Sequence, residues 1–240
     1  MLRKQPLYIV LFFSFVINLI SCSKPIDGES VIELMHNTYK DKWYKNLKFE
    51  QKAIFYANDT VAYKQIWHEV LKVGEGLAIK FDSINSGSGY VFKNDSMFVY
   101  KNNELVGKRK RVHEILELGF NVYGQPVANT IQKLNSSGLD FSLLEDTEDY
   151  YIIGNPDKMK VWIEKERMVF YKIETKNKNG AISKIEFNKY EKLGEGWIAP
   201  EVIFYSNNKI TLKEIYFNIQ LPETLPNNLF HVSDFESTIW

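Results

Sequence analysis

From Leu47 onward the apolar residues fall largely on every second position, and the runs are cut at short intervals by clusters of turn-forming residues. A period of two belongs to extended chain with one dry and one wet side, whereas a half-buried helix repeats near 3.6. Leu47, Phe49, Ala53 and Phe55 alternate with Lys48, Glu50, Lys52 and Ile54. The same habit returns over Ile66 to Val73, Leu77 to Phe81, Tyr90 to Lys93, Met97 to Tyr100, Tyr150 to Ile153, Lys160 to Ile163, Val169 to Thr175, Ile182 to Tyr190, Glu201 to Tyr205 and Thr211 to Ile219. Between these runs stand Asn58-Asp59, Gly74-Glu75-Gly76, Asn94-Asp95, Asn102-Asn103, Lys178-Asn179-Gly180, Gly194-Glu195-Gly196 and Asn207-Asn208. Connections this short join antiparallel neighbours, because parallel pairing needs a crossover of about a dozen residues. The pattern predicts a meander of about eleven strands, and a sheet of that size curls as its twist accumulates.

Two stretches break the alternation. Ser30-Val-Ile-Glu33 has the layout of a capping box, and Ile32, Met35, Tyr39 and Trp43 follow at spacings of three and four, predicting a helix over Val31 to Tyr44. Val112 to Gly138 also lacks the period of two, and Pro126 followed by Val127, Ile131 and Leu134 predicts a second helix ending near Gly138. The fold class is therefore mainly β with two or three helices (α+β), the helices covering the apolar face of the sheet.

The N-terminus is of another kind. Arg3 and Lys4 precede an apolar run from Leu7 to Ile20, broken by Ser14 and Asn18 and followed by Ser21 and the single cysteine, Cys22. The run is shorter than the roughly 20 residues of a spanning helix and has the layout of a secretory signal. Leu19-Ile20-Ser21-Cys22 resembles the bacterial lipobox, which implies cleavage after residue 21 and acylation of Cys22. The expected organisation is a signal peptide over 1–21, a polar tether over 22–29 and one domain over 30–240. A lone cysteine makes no internal disulfide. The leader carries Arg3 and Lys4 and no acidic residue, so the overall balance of 30 basic and 30 acidic residues leaves a slightly acidic body. Such a balance lacks the single-sign field that nucleic-acid binding needs.

Three features resemble the bacterial LolA/LolB-like superfamily of lipoprotein carriers and receptors: the amphipathic helix feeding a strand over Ile32 to Phe55, the hairpin Gly196-Trp197-Ile198-Ala199-Pro200 through Tyr205 with Lys209 to Phe217 after it, and the ending Leu225-Pro226-Asn227-Asn228-Leu229-Phe230. The resemblance implies a curled antiparallel half-barrel capped by helices, whose concave face holds the acyl chains of a lipid or lipoprotein. The lipobox-like end of the leader implies a bacterial envelope protein, expected at the outer membrane facing the periplasm, with surface display as the rival. Candidates for the concave face are Trp67, Leu71, Ile79, Phe81, Tyr90, Phe92, Phe98 and Tyr100, with Val161, Ile163, Val169, Tyr171, Ile185 and Phe187 from the second half. Candidates for a lid are Ile32, Met35, Tyr39 and Trp43, with the helix from Pro126 to Leu134. An ordinary core needs such a set as well, each large apolar side chain contributing roughly 1.5 to 3 kcal/mol when buried. The rival expectation is a fully packed barrel that docks other proteins.

Motifs for chemistry are missing. His36, His68, His113 and His231 are scattered, and neither His68-Glu69 nor His113-Glu114 has a second histidine at zinc-binding spacing. Gly87-Ser88-Gly89 lacks the nucleophile elbow of serine hydrolases. Glu145, Asp146, Glu148 and Asp149 cluster in one expected loop. No cofactor, metal or enzymatic activity is expected. Lys108-Arg109-Lys110-Arg111 is the densest charge run, readable as a solvated loop, as edge protection or as a patch for anionic headgroups, each basic residue adding about 1 kcal/mol at such a surface.

Overall fold

A computed structural model describes residues 24–240; the expected signal peptide and Cys22 lie outside the described residues. Six strands open the body as a meander: β1 (Asn46–Ala57), β2 (Thr60–Lys72), β3 (Gly76–Phe81), β4 (Gly89–Lys93), β5 (Ser96–Lys101) and β6 (Glu104–Lys110). A second meander runs through β7 (Leu144–Asp146), β8 (Tyr150–Asn155), β9 (Met159–Glu164), β10 (Val169–Lys176) and β11 (Ile182–Asn188). The hairpin of β12 (Glu191–Leu193) and β13 (Gly196–Ile198) leads to β14 (Glu201–Ser206) and β15 (Lys209–Gln220). Among the described residues these form one open 13-stranded sheet, ordered β6-β5-β4-β3-β2-β1-β15-β14-β11-β10-β9-β8-β7, with β12 and β13 apart. The two meanders join at the antiparallel seam of β1 and β15.

Four hairpins turn on Asn58-Asp59, Asn94-Asp95, Asn102-Asn103 and Asn207-Asn208, and in each pair both residues have positive φ. That is the geometry of the tight turn whose twist matches the flanking strands, and Asn and Asp tolerate it. Register shifts interrupt five ladders, including β1 with β15 and β9 with β10. Each bulge sharpens the local twist, which bends the long sheet into a half-barrel without closing it.

The strand count exceeds the sequence expectation because β6 and β7 carry little apolar alternation and β12 and β13 are only three residues each. Lys108, Arg109 and Lys110 belong to β6, at the free edge of the sheet, so this charge run is edge strand rather than loop. Basic side chains on an edge oppose pairing with another chain.

Three α-helices occur among the described residues: α1 (Gly28–Tyr39), α2 (Glu114–Gly119) and α3 (Val127–Ser136). α1 starts earlier than its capping-box pattern suggests. Asp27, not Ser30, is the N-cap, its side chain accepting from Ser30 N while the Ser30 hydroxyl accepts from Asp27 N. The helix thus begins inside the segment expected as tether. Gly28 packs so closely that a Cβ there would stand 2.4 Å from Ile153 Cγ2. α1 ends at Tyr39, because Lys40 is extended and Asp41 has φ 63°. Pro126 caps α3 and precedes its first turn. α2 was not legible as a helix.

Packing divides the concave interior in two. Around α1 it is filled. Val31, Ile32, Met35, Ile153, Val161, Ile163, Val169 and Phe170 are fully buried, and Phe170 meets Phe187 edge-on at 4.9 Å. Tyr39, Trp43, Tyr123 and Trp197 close this end as an aromatic cluster. Trp43 stacks on Tyr123 at 3.8 Å, and Trp197 Nε1 donates to the Tyr39 hydroxyl at 2.8 Å. The convex face of β2–β5 is covered by the C-terminal segment. Leu229, Phe230 and Phe235 pack on Val70, Ala78, Val91 and Tyr100, and Phe235 stacks on Tyr100 at 4.0 Å. Lys80, fully buried beneath it, donates to the carbonyls of Thr238 at 2.8 Å and Glu236 at 3.3 Å.

Candidate binding cavity

Under α2 the concave face is not filled, leaving a cavity of about 560 Å³. Its wall is built from the inward positions of consecutive strands. Phe49 comes from β1; Trp67 and Leu71 from β2; Leu77 and Ile79 from β3; Tyr90 and Phe92 from β4; Ile173, Ile185 and Phe204 from the far side. Ile115, Leu116 and Phe120 on and beside α2 form the roof. α2 is short for an isolated helix and is held by tertiary contacts. Its N-cap is His113, whose ring accepts from Leu116 N at 3.3 Å and meets the Phe92 ring edge-on at 4.6 Å. Burial, reinforced by Arg111, pushes the His113 imidazole down to about 4, so it is neutral at physiological pH. On its other face Glu117, 3% exposed, receives Asn121 Nδ2 at 3.0 Å and Lys133 Nζ at 2.9 Å, together with the Gln125 amide, tying α2 to α3.

The floor of the cavity breaks the apolar rule. Gln51 on β1, Glu69 on β2 and Glu214 on β15 occupy inward positions of adjacent strands and are 1%, 5% and 8% exposed. Burial pushes the Glu214 carboxyl up to about 8, opposed by the polar side chains of Gln51 and then Tyr216 beside it. Among the described residues Gln51 Nε2 makes no hydrogen bond of normal geometry, and the Tyr216 hydroxyl stands 3.4 Å from Glu214 Oε2. Glu69 is raised well above the carboxylate range, by burial first and by Glu214 second. Tyr216 is raised by burial and then by the two carboxyls. At neutral pH the Glu214 carboxyl is therefore mainly protonated.

Of the residues expected on the concave face, Trp67, Leu71, Ile79, Tyr90, Phe92 and Ile185 line the cavity. Phe81 shares their face, with its ring 5.2 Å from Trp67 and 5.0 Å from Tyr90. Val161, Ile163, Val169 and Phe187 are in the filled half, packed against other side chains. Phe98 and Tyr100 point the other way. The turn at Asn94-Asp95 pairs Phe92 with Met97 and Val91 with Phe98, so Met97 takes the inward place and Phe98 and Tyr100 join the convex cluster. Tyr171 also faces outward, stacking on Tyr150 at 5.1 Å, because the bulge between Phe170 and Lys172 resets the parity of β10. The expected lid residues Ile32, Met35, Tyr39 and Trp43 are core, and none lines the cavity; neither do Pro126 to Leu134. The covering element is α2.

Gln51, Glu69 and Glu214 are not among the expected site residues, although the sequence carries a signal for them. Each is a polar residue at the dry parity of its strand, in Phe49-x-Gln51-x-Ala53, Trp67-x-Glu69-x-Leu71 and Leu212-x-Glu214-x-Tyr216. Arg109 and Arg111, from the basic run, stand exposed at the cavity rim. Among the described residues, no three His, Cys, Asp or Glu side chains gather as metal ligands, and no helix is long and apolar enough to cross a membrane.

No family model matches the chain, and no curated protein matches it by sequence. Solved structures do resemble it. A LolA superfamily protein from Nitrosomonas europaea aligns over 86% of this chain and 98% of its own, with a TM-score of 0.56 at 13% identity. A domain described as an outer membrane lipoprotein-sorting protein, from Vibrio parahaemolyticus, aligns over 87% and 98%, with a TM-score of 0.60 at 14% identity. A DUF1329 family protein from Desulfovibrio piger aligns over 87% and 97%, with a TM-score of 0.59 at 15% identity. Likeness at such identities lies in the backbone architecture: the chain has the fold of the LolA-like superfamily, an unclosed antiparallel half-barrel capped by helices.

Proposed function

We propose that this protein is a lipid-anchored lipoprotein of the bacterial cell envelope that holds a hydrophobic moiety, a lipid or lipoprotein acyl chain, in the cavity under α2. The mechanism is reversible burial without chemistry. The cavity itself carries the reading, because it is a largely apolar volume on the concave face, and it lies within the roughly 300–1,000 Å³ typical of ligand sites. Each methylene placed there leaves water with a gain of about 0.8 kcal/mol. Entry and exit require α2 to move from the sheet, a motion open to a six-residue helix. The shared fold with a structure described as lipoprotein-sorting supports a role in lipid or lipoprotein trafficking.

The anchor follows from the lipobox-like Leu19 to Cys22, with 1–21 as the removed leader. Acylation through more than one chain makes such attachment stable where a single chain is marginal. The outer membrane, periplasmic side, is the placement we favour over surface display.

Protein purified from a membrane fraction should carry an extractable lipid adduct in native mass spectrometry, and the stripped protein should bind the neutral dye Nile red. A bare mass with no dye uptake eliminates the carrier reading. Ile79→Trp, which narrows the cavity, should weaken uptake while the protein stays folded. Cys22→Ala should move the protein out of the membrane fraction, and a variant that still partitions there eliminates the anchor.

A further inference from the structure

Buried carboxylates elsewhere in this protein are given cations. Glu117 has Lys133 at 2.9 Å, and Glu201 has Lys213 at 2.6 Å and Lys189 at 3.0 Å. The floor of the cavity departs from that practice. Glu69 has no hydrogen bond or ion pair among the described residues, and Glu214 has only the Tyr216 hydroxyl at 3.4 Å. Beside them the amide nitrogen of Gln51, at 1% exposure, lies against Glu214 without a hydrogen bond of normal geometry and has no other partner among the described residues. The basic groups nearest the cavity, Arg109 and Arg111, stand exposed at its rim and pair with neither glutamate.

We infer that the cavity takes an amphiphile bearing a protonated amine, which enters head first and places its ammonium group between Glu69 and Glu214. Its apolar tail then lies along Trp67, Leu71, Ile79 and Tyr90 beneath Ile115 and Leu116. The ligand supplies the cation that the fold supplies to Glu117 and Glu201. A compact ammonium donates in three directions, which suits two carboxyls and the Gln51 amide oxygen once that amide is turned. A fatty acid offers no cation to the two carboxyls, and its carboxylate is repelled once either of them ionises. The other groups facing this space are His113 and Glu114 at the start of α2 and the Tyr90 and Tyr216 hydroxyls, none of them cationic at neutral pH. Binding an ammonium ionises the Glu214 carboxyl and releases a proton, so affinity climbs as pH rises toward about 8.

The inference rests on the carrier reading, and the test separates the two. The stripped full-length protein is titrated calorimetrically with decylamine, decanol and decanoate. Decylamine should bind at least tenfold more tightly than decanol at pH 7.5, with the advantage growing from pH 6 to pH 8. The double variant Glu69→Gln, Glu214→Gln should bind the two equally while keeping its affinity for decanol. Should that variant not fold, the pH dependence of the unmodified protein decides alone. Equal binding of amine and alcohol, tighter binding of decanoate, or a preference surviving in the variant overturns the amine inference and leaves the apolar cavity standing. Failure to bind decanol and Nile red alike overturns the carrier reading, and the amine inference with it.

Discussion

Glu214→Gln replaces a buried acid with an uncharged isostere, and the structure says how stability must respond. The Glu214 carboxyl is pushed from 4.5 to about 8 in the folded protein, so between these values the native state holds a proton that the unfolded chain has released. A native state with more bound protons loses stability as pH rises, by up to about 1.4 kcal/mol per unit. His113 works in the opposite sense: lowered to about 4 from 6.5, it contributes stability that grows with pH only up to about 6.5. The carboxylates held below their ordinary values, among them Asp27, Asp140 and Glu201, have gained their full contribution before pH 6.5. Between pH 6.5 and 8 the falling term is therefore isolated. It is on the order of 2 kcal/mol for Glu214 alone, and the raised Glu69 adds to it in the same direction. For a chain of this size that is a drop in Tm of roughly 4–8 °C. Thermal melts followed by near-ultraviolet circular dichroism at pH 6.5, 7, 7.5 and 8 should show Glu214→Gln losing markedly less stability than the unmodified protein, and melting higher at pH 8. Parallel slopes for the two proteins refute the buried, proton-holding state of Glu214.

The filled and hollow halves should also answer differently to truncation. Phe170→Ala, with no exposure and an edge-on neighbour in Phe187, should cost about 3–5 kcal/mol, whereas Leu71→Ala on the cavity wall should cost near 2 kcal/mol because it enlarges an existing void; urea titration decides, and equal costs remove the distinction. Gly28→Ala forces a Cβ to within 2.4 Å of Ile153 and should destabilise by about 1–3 kcal/mol, again read from urea midpoints; an unchanged midpoint means the helix start yields freely. Lys80→Met removes the donor to the carbonyls of Glu236 and Thr238 and should raise amide exchange in residues 225–240 well above that of the β1–β15 ladder; uniform exchange would show that the segment is held without it.

What could be read from sequence was what is local. Pairs such as Asn58-Asp59 mark turns because both residues must take positive φ, and period two marks strands because the pleat imposes it. Parity beyond each strand was lost wherever a count of residues had to be carried across a turn or bulge. Phe98 and Tyr100 were placed on the concave face by continuing the rhythm of β4, while the Asn94-Asp95 turn assigns that face to Met97; Tyr171 was misplaced by one extra residue in β10. α2 escaped notice because six residues hold less than two turns of periodicity. A cavity depends on whether side chains from a dozen elements sum to the space enclosed, and no single stretch of chain carries that sum. The polar floor was visible as three breaches of alternation, yet their meeting needed the pairing of β1 with β15.

That seam also sets when the protein can finish folding. β1 finds one partner, β2, immediately after it in the chain, but its other edge stays bare until β15, the last strand, exists. Closing so long a loop is slow, and an unpaired edge is an aggregation hazard while it waits. The last twenty residues then seal the outer face of β2–β5 over Lys80. Neither meander can thus be completed from its own residues: the first lacks both a sheet neighbour and a cover until the C-terminus arrives. A chain cut short before Lys209 is left as two separate sheets, with the edge of β1 that faces β15 unpaired.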